Sequence, residues 1–212
     1  MKVWMFGGKI HSGKNLAAKI AKEWLESNGL KVDCEMLAKG VKDGCKRDFA
    51  ELTNYLNELS EMAKNDGDAK LAELLHVEDE NWYENKTALT RILLQTYGTE
   101  IFRKNVSENW WTEQLVKRIK ESDADVVLVT DFRFPSEYHD LKVAFPETNT
   151  LRIWRGSKEK TGFADTIDRT QTHDSETALD HFVFDYEIDN NGTIEELEKK
   201  IQELFSGCLK KD

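Results

Sequence analysis

The sequence predicts an α/β protein built on a parallel sheet of about five strands flanked by helices, with a helical insert and a lid. Three observations carry this. An apolar run, VWMF (Val3 to Phe6), leads into a glycine-rich turn and then an amphipathic helix. A continuous β-branched run, DVVLVT (Asp125 to Thr130), lacks the alternation of a half-solvated strand, as expected where both sheet faces are covered. Strand and helix patterns alternate at both ends of the chain, which argues for a parallel sheet.

Each element has its own signal. Lys2 to Phe6 reads as the first strand. Leu16, Ala17, Ile20, Ala21, Trp24 and Leu25 then form one apolar helical face, which Asn28-Gly29 closes with a C-cap signal. Lys31 to Leu37 reads as a weaker second strand. From Ala38 to Ser122 the pattern is almost wholly helical. Within it, Asp43 to Lys86 is a charged helical insert broken at Asn65-Asp66-Gly67. Asp125 to Thr130, Thr150 to Trp154 and Phe182 to Ile188 complete the strands. Glu195 to Phe205 is a closing amphipathic helix with Thr193 as its N-cap. The domain reading is a core of 1–37 and 123–212, a lid near 155–172, and a mostly helical substrate-binding region over 38–122.

The chain has 212 residues, 33% of them charged, and a net charge of −10. A protein that grips nucleic-acid backbones shows a basic stripe, so direct nucleic-acid binding is not expected. A local positive pocket for a small anion is compatible with an acidic surface. No apolar run approaches the roughly 20 residues that span a bilayer, so no membrane association is expected. The cysteines, Cys34, Cys45 and Cys208, are odd in number and scattered, which suits free thiols and a cytoplasmic location.

The chemistry concentrates where strands end, the ligand-binding edge of such sheets. In GGKIHSGKN (Gly7 to Asn15), Gly8, Gly13 and Lys14 fit the G-x-x-x-x-G-K phosphate-binding pattern, and His11 and Ser12 lie between them. Glycines let successive N–H groups point at phosphate oxygens, and the following helix adds its positive end. Lys14 supplies a cation for the β- and γ-phosphates. The next residue is normally a Mg²⁺-binding hydroxyl. Here it is Asn15, whose carbonyl oxygen is a hard ligand of different reach. His11 has a plain alternative, facing solvent.

At the next strand end, TDFRFPSE puts Asp131 at the tip, Arg133 two residues on and Glu137 six on. Asp131 suits Mg²⁺ or an acceptor group. Arg133 suits a bidentate fork onto phosphate, and the plain alternative is a surface Asp131–Arg133 ion pair.

The phosphate loop, LAKGVKD (Leu37 to Asp43), LLQTYGTEIFRKN followed by WW, TDFRFPSE, THDSETAL and DNNGTIEEL occur in an order that resembles the phage-type deoxynucleoside monophosphate kinases. The resemblance implies a P-loop nucleoside monophosphate kinase fold and ATP-dependent, Mg²⁺-assisted phosphorylation of (deoxy)nucleoside monophosphates to diphosphates. It implies that Lys42 contacts the monophosphate and that Arg91, Gln95, Thr99 and Trp111 line the nucleoside pocket. Asp131, Arg133 and Glu137 match the substrate and catalytic edge. Arg155 falls in a segment that looks like a closing lid, and Asn190 and Asn191 lie where adenine is cradled. His173 and Glu176, in THDSE, match a recurring motif without an assigned role. A phage-encoded chain would act in the host cytoplasm. The insert matches poorly, so base preference stays open, as does a homodimer.

Two other functions remain compatible with the residues: a kinase of another small phosphorylated acceptor, and a nucleotide-gated interaction module with Asp43 to Lys86 as its partner surface. Trp110 and Trp111 equally suit a core role. His173 and His181, with Asp174 and Asp180 nearby, read as solvated helix flanks sooner than as zinc ligands.

Overall fold

The computed structural model describes residues 1–48, 52–76, 88–156 and 174–209. These fall into two compact units, one of Met1–Leu37 with Thr112–Asp212 and one of Ala38–Trp111.

The first unit is built on β1 (Lys2–Gly7), followed by helix α1 (Lys14–Ser27) and β2 (Val32–Glu35). Helix α2 (Leu37–Asp48) leads into the second unit, where α3 (Leu52–Asn65), α4 (Ala69–Leu75), α5 (Ala88–Gln95) and a π-helical segment (Thr96–Arg103) follow. Helix α6 (Trp110–Glu121) returns the chain to the sheet. Then come β3 (Val126–Val129), α7 (Pro135–Ala144), β4 (Thr148–Trp154), α8 (Asp174–Thr177), β5 (Tyr186–Asp189) and α9 (Ile194–Leu209). The five strands are parallel in the order β2-β3-β1-β4-β5. The expected parallel sheet is therefore present, with β1 at its centre.

Burial explains why β1 and β3 read so clearly. Val3, Trp4, Met5 and Phe6 are all buried, as are Val126 to Val129, so neither strand has a wet face. Trp4, Phe6, Val126, Leu128, Leu151 and Ile153 meet Ala17, Ile20, Ala21 and Leu25 of α1 and Leu197, Ile201 and Phe205 of α9 in one cluster. Asn28 ends α1 as expected, with its side-chain amide donating to the Trp24 carbonyl at 2.8 Å. Thr193 caps α9, its hydroxyl accepting from the Glu196 N–H while the Glu196 carboxylate accepts from the Thr193 N–H, both at 3.3 Å. That reciprocal box satisfies two donors the first turn cannot pair internally.

Four expectations need correction. Leu16 is exposed and Ala18 takes its place in the buried face. The second strand stops at Glu35, because Leu37 already begins α2. The fourth begins two residues earlier than expected, at Thr148. The fifth begins only at Tyr186. Phe182 and Phe184 instead pack edge-on against each other and against Phe132, while Val183 is 88% exposed. Asp185 turns back, and its carboxylate accepts from Thr150 N–H at 2.8 Å and Thr150 Oγ1 at 2.9 Å.

In the second unit the break at Asn65-Asp66-Gly67 separates α3 from α4 as expected, and the Asp68 carboxylate caps α4 by accepting from Leu71 N–H at 3.0 Å. Ser60 Oγ donates to the Ala72 carbonyl at 2.7 Å, holding the two helices together. Among the described residues, no helix is long and apolar enough to cross a membrane.

Candidate active site

The phosphate loop leaves β1 at Gly7 and enters α1 at Lys14. Two of its glycines are dictated by close approach. A Cβ on Gly8, at φ 143°, would lie 2.2 Å from the Ile153 carbonyl oxygen of β4. A Cβ on Gly13, at φ 95°, would lie 2.3 Å from the Asn190 amide nitrogen. The loop is thus pressed against the sheet on one side and against the β5–α9 connection on the other. His11 sits at φ 62° and is exposed, a left-handed conformation uncommon for a residue with a Cβ.

Ser12 is 3% exposed, yet its hydroxyl has no hydrogen-bond partner among the described residues. Buried hydroxyls are rarely left so, and one inside a phosphate-binding loop fits a site shaped for an oxyanion. Lys14 Nζ donates to the carbonyls of Gly8 at 2.6 Å and Lys9 at 2.8 Å, so one of its three donor directions stays open. Burial first, and then the nearby Arg133 guanidinium, push the Lys14 ammonium down to about 8 against the opposing pull of the Glu176 and Asp131 carboxylates. These three groups are therefore near enough for their charges to act on the loop lysine. Asn15 is exposed at the start of α1.

The β3 end contributes the other side. Asp131 Oδ1 accepts the Leu37 N–H at 2.8 Å. Arg133 Nη1 donates to the Ser175 carbonyl at 3.2 Å and to the Glu176 carboxylate. Glu137, expected on the substrate edge, is 2% exposed, and its carboxylate accepts from Arg133 N–H at 2.9 Å and Phe134 N–H at 3.1 Å. It fixes the backbone that carries Arg133. Arg155 is exposed, directly after β4.

Asn190, expected where adenine is cradled, is buried and donates from Nδ2 to the Ser12 carbonyl at 2.8 Å. In this geometry it is a strut under the phosphate loop. Asn191 Oδ1 accepts the Gly156 N–H at 2.6 Å. Of the lid reading, only Arg155 and Gly156 are described; the remainder, with His173, lies outside the described residues.

In the second unit, Lys42 lies on α2, Arg91 and Gln95 on α5, Thr99 in the π-helical segment and Trp111 at the start of α6. Thr99 and Trp111 are buried. Trp111 packs on Tyr97 and Phe102 at ring distances of 6.0 and 4.9 Å, and its indole N–H donates to the Gly98 carbonyl at 2.9 Å. The ring thus has a core role here, and its polar edge is engaged. π-Helical turns are uncommon and often accompany function; this one contains the buried Thr99.

Sequence reasoning missed Lys9 and Arg152, and read Asp180 only as part of a solvated helix flank. Together with Gly8, Phe132, Arg133, Glu176 and Phe184 they line a cleft beside the phosphate loop. Arg152 lies over the Phe184 ring at 5.7 Å, a cation–π distance. Lys9, inside the loop motif, was the one of the two missed residues that the pattern could have pointed to.

A family model described as deoxynucleotide monophosphate kinase matches residues 31–201. The chain belongs to that family. The matched span begins beyond the phosphate loop, so the loop's reading rests on its own geometry. A deoxynucleoside-5'-monophosphate kinase of Escherichia phage T5 is 43% identical over 61 residues. That stretch is 29% of this chain and 23% of the phage protein, less than a quarter of the relative's length. A shikimate kinase from Aquifex aeolicus vf5 aligns over 100% of both chains at 15% identity and a TM-score of 0.43. A gluconokinase from Sinorhizobium meliloti 1021 aligns over 98% of this chain and 93% of its own at 11% identity and a TM-score of 0.49.

Proposed function

We propose that the protein transfers the terminal phosphoryl group of ATP to a (deoxy)nucleoside monophosphate, giving ADP and the diphosphate. The observation that carries this is a part-buried Lys14 ammonium within electrostatic reach of Arg133 and Asp131, in a loop whose buried Ser12 hydroxyl lacks a partner among the described residues, in a chain of this family. In the transfer, the bond from the γ-phosphorus to the β–γ bridging oxygen breaks, its electron pair leaving with ADP. A bond to an oxygen of the acceptor's phosphate forms in line with it.

The chain's own groups align and hold charge; they do no covalent chemistry. The loop N–H groups and Lys14 hold the donor phosphates. Arg133 forks onto the phosphate that receives the group, assisted by Lys42. Glu137 keeps the Arg133 backbone in place, and Arg155 adds a cation beyond β4. Arg91, Gln95 and Thr99 meet the nucleoside, with Trp111 supporting them from the core. Mg²⁺, when bound, would neutralise and orient the donor's β- and γ-oxygens. Asn15 and Asp131 are the residues that would hold it, and a carboxamide and a carboxylate suit a hard cation that keeps several waters.

A coupled assay over a panel of nucleoside monophosphates tests the reading. ADP formed only when a nucleotide acceptor is present supports it; ATP binding with no turnover on any acceptor overturns it. The role of Asn15 has its own check. Asn15→Thr should keep Mg²⁺-dependent turnover and Asn15→Leu should weaken the metal dependence. Superimposable Mg²⁺ titrations for all three proteins would take Asn15 out of the metal's shell.

The strut assigned to Asn190 differs measurably from a base contact. Asn190→Asp removes the donor to Ser12 and should raise KM about tenfold, the scale of one buried hydrogen bond. The rise should be the same for ATP and for GTP, because the loop touches only phosphates. A rise confined to ATP would return Asn190 to the adenine pocket.

A further inference from the structure

Glu176 lies on α8, its side chain 7% exposed, and its carboxylate accepts from Arg133 Nη1. The Ser175 carbonyl takes the same nitrogen at 3.2 Å. The other edge of the guanidinium, Nε and Nη2, meets no partner among the described residues. That edge is the one left for a bidentate grip on phosphate. Lys9 of the phosphate loop reaches the same short segment from its other side, donating to the Glu176 carbonyl oxygen at 2.6 Å and to the Asp180 carboxylate. The two contacts to Glu176 differ in kind. Lys9 holds its backbone, so the docking of this segment survives loss of the side chain. Arg133 is held by the carboxylate itself.

We propose that Glu176 is a positioning residue of the transfer, clamping one edge of Arg133 so that the opposite edge is presented to the acceptor's phosphate. This rests on the kinase reading above. An exposed arginine rotates among many rotamers, and a fork fixed in advance loses less entropy when it closes on its anion. A carboxylate that merely filled the phosphate's place would do the reverse, competing with substrate.

The test combines kinetics with a signal that needs no turnover. Glu176→Ala should lower kcat/KM for the monophosphate about tenfold, the scale of one charge-assisted hydrogen bond. KM for ATP should stay within about twofold, and Glu176→Gln, which keeps an acceptor oxygen, should recover most of the loss. On an Arg133→Lys background the alanine change should add almost nothing. Equal losses on both backgrounds, or a lower KM for the monophosphate in Glu176→Ala, would overturn the proposal. Nitrogen-15 spectra of the Arg133 guanidinium read the clamp directly. Separate Nη signals in the wild type should merge in Glu176→Ala as rotation is freed; signals alike in both proteins would also overturn it. If no monophosphate is phosphorylated by the wild type, the kinase reading fails. The clamp is then decided by these spectra and by titration with inorganic phosphate, whose shift of the Arg133 signals should need about tenfold more phosphate in Glu176→Ala.

Discussion

Lys14→Ala should lower kcat by about a hundredfold to a thousandfold, the scale of one fixed donor that meets transition-state charge. The melting temperature should not fall, because the ammonium is held at a cost: burial and Arg133 depress it to about 8 from 10.5. The sign of the pH effect follows. Between about 8 and 10.5 the unfolded chain binds the proton and the folded chain releases it, so this group makes stability rise with pH across that window. Below it both states are protonated and the cost is present in full. Lys14→Ala should remove the rise. A phosphate arriving at Nζ restores the charged form, so ATP binding near pH 8 should take up part of a proton, visible by calorimetry in buffers of different ionisation enthalpy. Near-normal turnover in Lys14→Ala would mean that Gly8 to Asn15 is not the ATP site.

The second large effect belongs to Arg133→Lys, which should raise KM for the monophosphate and lower kcat while ATP affinity changes little. A desolvated fork contact is worth about 2–4 kcal/mol, so kcat/KM should fall by about thirtyfold to several hundredfold. Lysine can still pair with Glu176, but it is a point charge without a second edge. If Arg133 serves only as a structural ion pair, the melting temperature falls and the surviving folded protein has near-normal kinetics. Measuring melting temperature beside both KM values separates the two.

What could be read in the sequence was local. β1, α1, β3 and α9 announce themselves because each buries a whole face, and burial writes an apolar pattern into neighbouring residues. The phosphate loop was legible because its glycines and lysine are adjacent. β5 was misplaced because Phe182 and Phe184 carry a strand's composition while burying their rings in an aromatic cluster through Phe132. The π-helical segment has no signature, since TYGTEIFR differs little from an ordinary helix. The contacts of Arg133 with Glu176 and of Lys9 with Asp180 join residues 43 and 171 positions apart, and no local pattern encodes such a meeting. Glu137 illustrates a subtler limit. A carboxylate after a strand end suggests a ligand contact, but in α7 it satisfies the two backbone N–H groups ahead of the helix.

The strut from Asn190 to Ser12 spans 178 positions. Its consequence is one of timing. A ribosome makes the phosphate loop long before it makes the support. β1 also waits, because its neighbours β3 and β4 emerge only after the helical region between them. Pairing so distant in sequence is slow to form. A nascent chain that has not yet delivered β5 should therefore carry Lys14 and every loop glycine and still fail to retain ATP; retention by a ribosome-stalled chain ending before Tyr186 would contradict this. Nucleotide affinity would then switch on only when the fifth strand closes beneath the first loop.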